Sequence, residues 1–197
     1  MAYVLGFFCA DGTMIDDKIS RGKYIRFINT DKQILEDIRN AMISTHSIYT
    51  TKATTSRKAK HVLSIGSKKL FSSLGALGLT INKSLSIKTP AVPAQYINDF
   101  IRGYFDGDGC IHIEKKHRTL RLIFTSGSEI FLSELTKMIS TSTGIGLKNV
   151  LGSRRSFQLK YSQNDAIALL SSIYKDASSG LYLERKRFIF DRYMDNK

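Results

Sequence analysis

Two short stretches, Leu5-Gly-Phe-Phe-Cys-Ala-Asp-Gly12 and Arg102-Gly-Tyr-Phe-Asp-Gly-Asp-Gly109, decide how this chain is organised. The second begins 97 residues after the first (102 − 5), and both contain an early glycine, a phenylalanine and a final Asp-Gly. A motif that recurs at a fixed interval usually marks a repeated structural unit. The chain is therefore predicted to consist of two related halves.

The similarity continues downstream of each motif. Residues 25–30 resemble residues 120–125, and residues 63–67 resemble residues 159–163. Apolar residues at helical spacing follow each of these strand-like segments. The sequence of each half therefore predicts helices and strands in the order αββαββα. We expect an α+β protein with antiparallel sheets.

Both prolines of the chain, Pro90 and Pro93, lie between the two copies, in a segment typical of an extended linker. We predict a first repeat at residues 1–85, a linker at 86–93 and a second repeat at 94–197. Halves this small cannot cover their own apolar sheet faces, so we expect them to pack into one pseudosymmetric body. At the second helix of each half, Thr30 with Gln33 and Ser126 with Glu129 fit the capping-box spacing.

Small residues lie four positions apart within each motif, as Gly6 and Ala10 in the first copy and as Gly103 and Gly107 in the second. On a helix these positions share one face, and a face without side chains allows two backbones to approach closely. The two motif helices are therefore predicted to pack against each other.

Asp11 and Asp108 fall at the C-terminal ends of these helices, and each precedes a glycine suited to a left-handed cap. A carboxylate there meets the negative end of the helix dipole, at a cost of about 0.3–1 kcal/mol. A divalent cation would remove this penalty, and carboxylate oxygens suit Mg²⁺. The alternative is that each Asp-Gly is only a turn after a helix, but that does not explain an acid in both copies.

Charge and cysteine usage narrow the class of partner. Thirty Lys and Arg against 17 Asp and Glu give a net charge of +13, which favours nucleic acid over an anionic membrane. Charged residues interrupt every apolar run, so no membrane span is predicted. Cys9 and Cys110 have no zinc-site spacing, and the N-terminus lacks a cationic region before its apolar run. We expect an intracellular protein, in a bacterial cytoplasm or an organelle.

The duplicated motif resembles the LAGLIDADG homing endonuclease family in its single-chain, two-motif form. The resemblance implies that Asp11 and Asp108 are metal ligands and that the sheets form a saddle in the DNA major groove. It also implies a monomer that hydrolyses both strands of a long, asymmetric double-stranded DNA target. The expected cofactor is Mg²⁺, with Mn²⁺ as a substitute and Ca²⁺ supporting binding without cleavage. Cys9 departs from Asp106 at the matching position, so Asp106 is interpreted either as a catalytic acid or as a solvated or helix-side acid.

Members of this family usually place a lysine near each metal site, which directs attention to Lys83 and Lys186. These residues follow the last strand and helix of their halves and are interpreted as repeat counterparts. The alternatives are phosphate contacts or solvated charge. Thr30 and Thr125 occupy the other place where such a lysine could stand.

Polar and basic residues on alternating strands and hairpins form the candidate DNA surface. In residues 109–118, Ile111 and Ile113 are expected to face inward and His112 and Glu114 outward. Arg26 and Arg121 are interpreted as matched between the repeats. The full candidate set is Lys18, Arg21, Lys23, Arg26, Lys52, Arg57, Lys58, Lys60, His112, Glu114, Lys115, Lys116, Arg118, Arg121, Arg154, Arg155, Gln158 and Lys160.

Two other functions use the same features. A non-cleaving DNA-binding regulator would keep the basic surface, although the presence of both motif aspartates argues against it. An RNA-binding intron maturase could use the same charge for a different nucleic acid.

Overall fold

The computed structural model describes residues 1–53, 58–177 and 180–197. Within them the chain forms seven α-helices and eight β-strands, which confirms the predicted α+β class. The first half has the predicted order αββαββα, and the second half has the same order followed by one further helix. The helices are α1 (Ala2–Asp11), α2 (Lys32–Ala41), α3 (Lys68–Ala76), α4 (Ile97–Asp108), α5 (Glu129–Thr143), α6 (Asn164–Tyr174) and α7 (Glu184–Asp195). The strands are β1 (Gly12–Asp17), β2 (Gly22–Asn29), β3 (Ile48–Thr50), β4 (His61–Gly66), β5 (Gly109–Glu114), β6 (Thr119–Ser126), β7 (Leu151–Ser153) and β8 (Ser156–Ser162).

Contacts divide the chain into two compact units. The first contains Met1 with Asp11–Lys83, and the second contains Ala2–Ala10 with Ser84–Lys197. Most of α1 therefore groups with the second half of the chain. The division at residues 86–93 remains a prediction about the sequence repeats.

The first unit is built on a four-stranded antiparallel sheet in the order β1-β2-β4-β3. Helix α2 packs on the strands β2 and β4, and α3 packs on β2. Apolar side chains alternate along β2, so Ile25 and Phe27 face the helices and are 1% exposed. Ile34, Leu35 and Ile38 of α2 cover this face, which is the core of the unit.

The second unit repeats this arrangement, with the order β5-β6-β8-β7. Helices α4, α5 and α6 pack on β6 and β8, and α7 packs on β5. Its core is rich in aromatic rings. The ring centroids of Tyr104 and Phe131 are 4.5 Å apart. The Phe124 ring contacts the rings of Phe105 and Tyr161 edge to face, an arrangement that aromatic pairs favour.

The sheet registers give the alignment of the repeats and correct one prediction. Gly12 pairs with Phe27, and Gly109 pairs with Phe124, so equivalent residues in these hairpins differ by 97. Arg26 is therefore equivalent to Ile123 rather than to Arg121, and the predicted match of these arginines is wrong by two residues.

The starts of α2 and α5 also differ from the predicted caps. The Asp31 carboxylate accepts the Gln33 amide at 3.1 Å, and Ser128 Oγ accepts the Phe131 amide at 3.3 Å. Thr30 is not the N-cap, and Ser126 instead accepts the Ser128 amide at 3.1 Å. In the part of the chain that the structure describes, no helix is long and apolar enough to cross a membrane.

Candidate nucleic-acid interface and acidic site

The motif helices α1 and α4 contact each other through their glycines, as predicted. A Cβ atom on Gly6 would lie 2.0 Å from the Phe100 carbonyl oxygen, and one on Gly103 would lie 2.0 Å from the Tyr3 carbonyl oxygen. Real Cβ atoms do not approach a carbonyl so closely, so only glycine allows this separation of the helices. The two contacts are related by the same offset of 97, which makes the helix pair pseudosymmetric.

Both motif aspartates end their helices, as predicted, and a strand begins at the next residue. The predicted left-handed glycine cap is wrong, because Gly109 has φ −82° and ψ 152° and is the first residue of β5. Gly12 likewise begins β1. Glycine at 109 has a steric reason instead, since a Cβ there would lie 2.2 Å from the Phe105 ring and 2.4 Å from its carbonyl oxygen.

Asp11 is oriented by an amide that the sequence did not reveal. The Asn29 Nδ2 donates to Asp11 Oδ2 at 2.9 Å from the end of β2. The sequence signal for this contact is the asparagine at the last position of β2, the strand that pairs with β1. The contact fixes the direction of one carboxylate oxygen, which is what partners of metal ligands do.

Asp106, two residues before Asp108, is completely buried. Its Oδ2 accepts the Tyr3 hydroxyl and the Leu183 amide, each at 2.8 Å. Burial raises its pKa to about 6, against the opposing hydrogen bond from Tyr3 and the charge of Lys186. The interpretation of Asp106 as a solvated acid is wrong.

Lys186 belongs to α7, and its side chain reaches the C-terminal end of α4. Its Nζ donates to the carbonyls of Phe105 at 2.5 Å, Asp106 at 2.9 Å and Gly109 at 2.5 Å. The side chain is 3% exposed, so solvated charge is excluded for it. The ammonium thus satisfies carbonyls at the negative end of the helix dipole.

Lys83 occupies a different kind of element. It begins a single 3-10 turn, Lys83–Leu85, and its side chain is also buried. Solvated charge is therefore excluded for Lys83 too. Neither threonine named as the alternative lies in such a turn: Thr30 precedes the Asp31 cap, and the Thr125 carbonyl accepts the Tyr104 hydroxyl at 2.7 Å.

The face of the second sheet opposite its helices carries a polar set. Antiparallel partners share a face, and His112 pairs with Arg121 while Thr125 pairs with Gln158. Arg121 is ion-paired with Glu114 at 2.9 Å. Lys160 lies on the same face and is exposed. The structure therefore brings these candidates together. Ile113 lies on the buried face of the sheet, as predicted, because it pairs with Leu120, but it is near the end of the hairpin and is 37% exposed.

The corresponding face of the first sheet is less charged. Arg26 pairs with Thr13 on β1 and with Ser64 on β4. Lys23 lies on the opposite face, where it is ion-paired with Asp16 and its Nζ is 4.6 Å from the centroid of the Phe71 ring in α3. Lys23 is therefore separated from the rest of the candidate DNA surface.

The remaining candidates lie in the connections between strands and are exposed. These are Lys18, Arg21, Lys115, Lys116, Arg118, Arg154, Arg155, Lys52, Lys58 and Lys60. Arg21, Arg118 and Arg154 have φ of 53°, 51° and 44°. This left-handed region is unfavourable for arginine by about 1 kcal/mol or more, and glycine would relieve it. Arg57 lies outside the described residues.

The donor chemistry of the acidic site fits a hard cation. Among the described residues, no group of three or more His, Cys, Asp or Glu side chains could hold a metal ion. The carboxylate oxygens of Asp11 and of Asp108 are hard donors that suit Mg²⁺, an ion that usually completes its coordination with water and phosphate oxygens. Of the two cysteines, Cys9 is buried and Cys110 is exposed.

Comparisons with known proteins bear on the fold of this chain. Residues 95–174 match a family model described as a LAGLIDADG-like domain. The chain is also 29% identical over 139 residues to a probable translation initiation factor IF-2 from Thermococcus kodakarensis. That match covers 68% of this chain, and the chain spans only 11% of the length of that relative.

Solved structures with this fold extend over nearly the whole chain. The homing endonuclease I-WcaI bound to its DNA recognition sequence has a TM-score of 0.68 at 13% identity, covering 96% of this chain and 84% of that one. Variants of the homing endonuclease I-DmoI give 0.64 at 14%, with 95% of each chain covered. The N-terminal LAGLIDADG domain of DUF199/WhiA gives 0.60 at 17%, covering 95% and 85%. At these identities the likeness shows the fold, and the resemblance seen in the sequence is confirmed.

Proposed function

Because residues 95–174 carry a LAGLIDADG-like domain and the whole chain has the LAGLIDADG homing endonuclease fold, we propose that this protein is a site-specific double-stranded DNA endonuclease. One observation carries the proposal. Helices α1 and α4 each end at an aspartate where a sheet strand begins, and they meet through matched glycines. A fold used only for binding gives no reason for an acid at both positions.

The proposed substrate is a long duplex read by the polar faces of both sheets. Strands present alternate side chains to one face, and a two-stranded ribbon fits the major groove. The two faces differ, since Arg26 faces Ser64 in the first sheet and Ile123 faces Lys160 in the second. A monomer with unlike faces would favour an asymmetric target, and intron homing is the proposed role.

Asp11 and Asp108 are the proposed metal ligands, one for each DNA strand. Carboxylate oxygens suit Mg²⁺, and related structures include I-DmoI in complex with DNA and Mn, and an I-DmoI variant with its target DNA and Mg. When bound, the metal would stabilise the attacking water and the leaving oxygen of an in-line displacement. Ca²⁺ is expected to support DNA binding without cleavage.

Lys83 and Lys186 are the proposed lysines of the two sites. The support for Lys186 is its position, because its ammonium is bonded to the last carbonyls of the helix that carries Asp108. It contributes positive charge there and holds the end of α4. Lys83 is assigned the equivalent place in the first half for two reasons. It follows the last strand and helix of its half, and its side chain is buried.

Cleavage selection tests the proposal. A randomised duplex library incubated with Mg²⁺ should yield a defined cleaved site, and Asp11→Asn or Asp108→Asn should abolish double-strand cleavage while binding in Ca²⁺ persists. Asp195→Asn, an exposed acid at the end of α7, is the matched control and should cleave normally. Full double-strand cleavage by either motif variant would overturn the assignment.

The basic surface makes a second, independent prediction about binding. A protein that neutralises several phosphates releases counterions, so its affinity falls by orders of magnitude between about 50 and 200 mM salt. Fluorescence anisotropy with the selected duplex would measure this. An affinity that barely changes across the range would contradict a major-groove interface.

A non-cleaving DNA-binding regulator is the second candidate, favoured by the match to the DUF199/WhiA domain, which is not named as an endonuclease. The cleavage selection separates the two functions directly. An RNA-binding maturase is separated by competition: excess structured RNA should not displace the selected duplex if DNA is the substrate.

A further inference from the structure

The buried carboxylate of Asp106 connects three helices of the second unit. It lies on α4, accepts the Tyr3 hydroxyl of α1 at 2.8 Å and accepts the Leu183 amide just before α7 at 2.8 Å. Both bonds end on Oδ2, and Oδ1 is buried with no hydrogen-bond partner among the described residues. A buried acid is unfavourable, and its retention here indicates a role that an apolar side chain could not fill.

Leu183 is the N-cap residue of α7. Its carbonyl accepts the Lys186 amide at 2.9 Å and the Arg187 amide at 3.2 Å, which closes the first turn of the helix. The same residue is fixed to α4 through its own amide by Asp106. Asp106 therefore determines where α7 begins relative to α4.

Lys186 lies in the first turn of α7, so the start of this helix determines where the lysine lies. The Lys186 Nζ donates to the carbonyls of Phe105 at 2.5 Å, Asp106 at 2.9 Å and Gly109 at 2.5 Å. These three carbonyls lie on both sides of Asp108 in the sequence. A shift of α7 would break these bonds. The last turn of α4 would then lose the cation that satisfies its carbonyls.

A second side chain of α4 fixes the chain that leads into α7. Arg102, which is 3% exposed, donates to the Leu181 carbonyl at 2.8 Å and the Ile173 carbonyl at 2.7 Å. It is also ion-paired with Asp99 at 2.6 Å. Asp106 and Arg102 thus lie on the same helix and hold successive parts of one connection.

We propose that Asp106 is a positioning residue for Asp108, acting through Leu183 and Lys186. The inference rests on the proposed endonuclease function and deepens it. The first copy lacks this pair of a carboxylate and a hydroxyl, since Cys9 and Phe100 occupy the positions equivalent to Asp106 and Tyr3. The consequence is specific: losing the Asp106 carboxylate should impair cleavage of the strand assigned to Asp108 and spare the other.

The experiment compares full-length variants on the duplex obtained by cleavage selection, with each strand end-labelled separately. Asp106→Leu should slow one strand by at least about tenfold, the range typical of residues that orient metal ligands, with KM little changed and nicked DNA accumulating. Asp106→Asn keeps an oxygen acceptor and should restore cleavage to within about threefold. Asp106→Ala and Lys186→Met should show the same strand bias, and they serve if Asp106→Leu does not fold.

Hydrogen–deuterium exchange, which needs no DNA, measures the positioning itself. In Asp106→Leu or Asp106→Ala, exchange should rise in peptides covering residues 105–110 and 183–187 but not in α2. The proposal is overturned if both strands slow equally, if Asp106→Asn behaves as Asp106→Leu does, or if exchange at 183–187 is unchanged. If the wild-type protein cuts neither strand, the proposed endonuclease function is refuted, and the positioning role of Asp106 with it. If the wild-type protein cuts both strands and the variants show no strand bias, only the present inference is refuted.

Discussion

The two motif copies share their backbone geometry but differ in the polar groups around it. Gly6 and Gly103 make the same close approach to the opposite helix. Asp11 is oriented by the Asn29 amide at 2.9 Å, whereas the helix that carries Asp108 is held at its end by Lys186. A duplicated fold thus preserves what the close contact of two helices requires. Polar residue types near the acids differ between the copies, as Asn29 and Ser126 do at equivalent positions.

The largest expected effect tests the shared part of this comparison. Gly6→Ala and Gly103→Ala each place a Cβ 2.0 Å from a carbonyl oxygen, which forces the helices apart. Each should reduce the free energy of unfolding by about 3 kcal/mol or more, at the upper end for overpacking, and the two effects should be similar. Urea denaturation measures both.

Gly75→Ala is the matched control for these glycine variants. Gly75 lies in α3 with nothing within 4 Å of its Cβ position, so alanine there should stabilise the protein by about 0.5–1 kcal/mol. If only one motif variant were destabilised, the pseudosymmetry of the helix pair would be broken.

The next prediction tests the part that differs. Asn29→Ala removes the amide that orients Asp11, and we expect cleavage of one DNA strand to slow by about tenfold or more. The equivalent residue of the second copy is Ser126, which bonds to the Ser128 amide at 3.1 Å instead. Ser126→Ala should lower stability by about 1 kcal/mol without strand bias. The measurement is the nicking rate of each DNA strand for both variants. An equal strand bias in the two variants would mean that Ser126 also supports Asp108.

The DNA faces offer a smaller contrast. A basic residue lies on β2 in the first sheet, as Arg26 opposite Ser64, and on β8 in the second, as Lys160 opposite Ile123. Arg26→Ala and Lys160→Ala should each reduce the slope of log affinity against log salt by about 1 if they contact phosphates. Ser64→Ala should leave the slope unchanged. A lower affinity with an unchanged slope would point to base contact instead.

Sequence patterns predicted the helices, their glycine contact and the aspartates at their ends, because these features repeat at local spacing. The match of Arg26 with Arg121 failed for a physical reason. Side chains on a strand repeat every two residues, so a shift of two keeps every residue on its face and looks equally good. Only the pairing of Gly12 with Phe27 and of Gly109 with Phe124 fixes the register.

The polar network of the second copy could not be predicted for another reason. Tyr3 and Leu183 lie 103 and 77 residues from Asp106 in the sequence, so no local spacing relates them. Burial also changes the meaning of the residue type, since an aspartate in a helix is usually solvated. Asp106 was singled out only because its motif counterpart is Cys9.

The smallest expected effect comes from a tyrosine that only the second half has. Burial raises the pKa of Tyr161 to about 12, while the hydrogen bond with Thr136 lowers it, and Ile65 is the counterpart in the first half. The folded state thus holds this proton more tightly than the unfolded chain. The stability that this confers is complete below pH 10 and is lost as the pH rises to about 12. Tyr161→Phe should therefore remove about 1 kcal/mol of the decline in unfolding free energy between about pH 9 and 11. Thr136→Val removes the same hydrogen bond but keeps the ionisable hydroxyl, so it should retain the decline. If the two variants have the same pH dependence in urea titrations, Tyr161 does not contribute to alkaline unfolding, and the two halves do not differ in this respect.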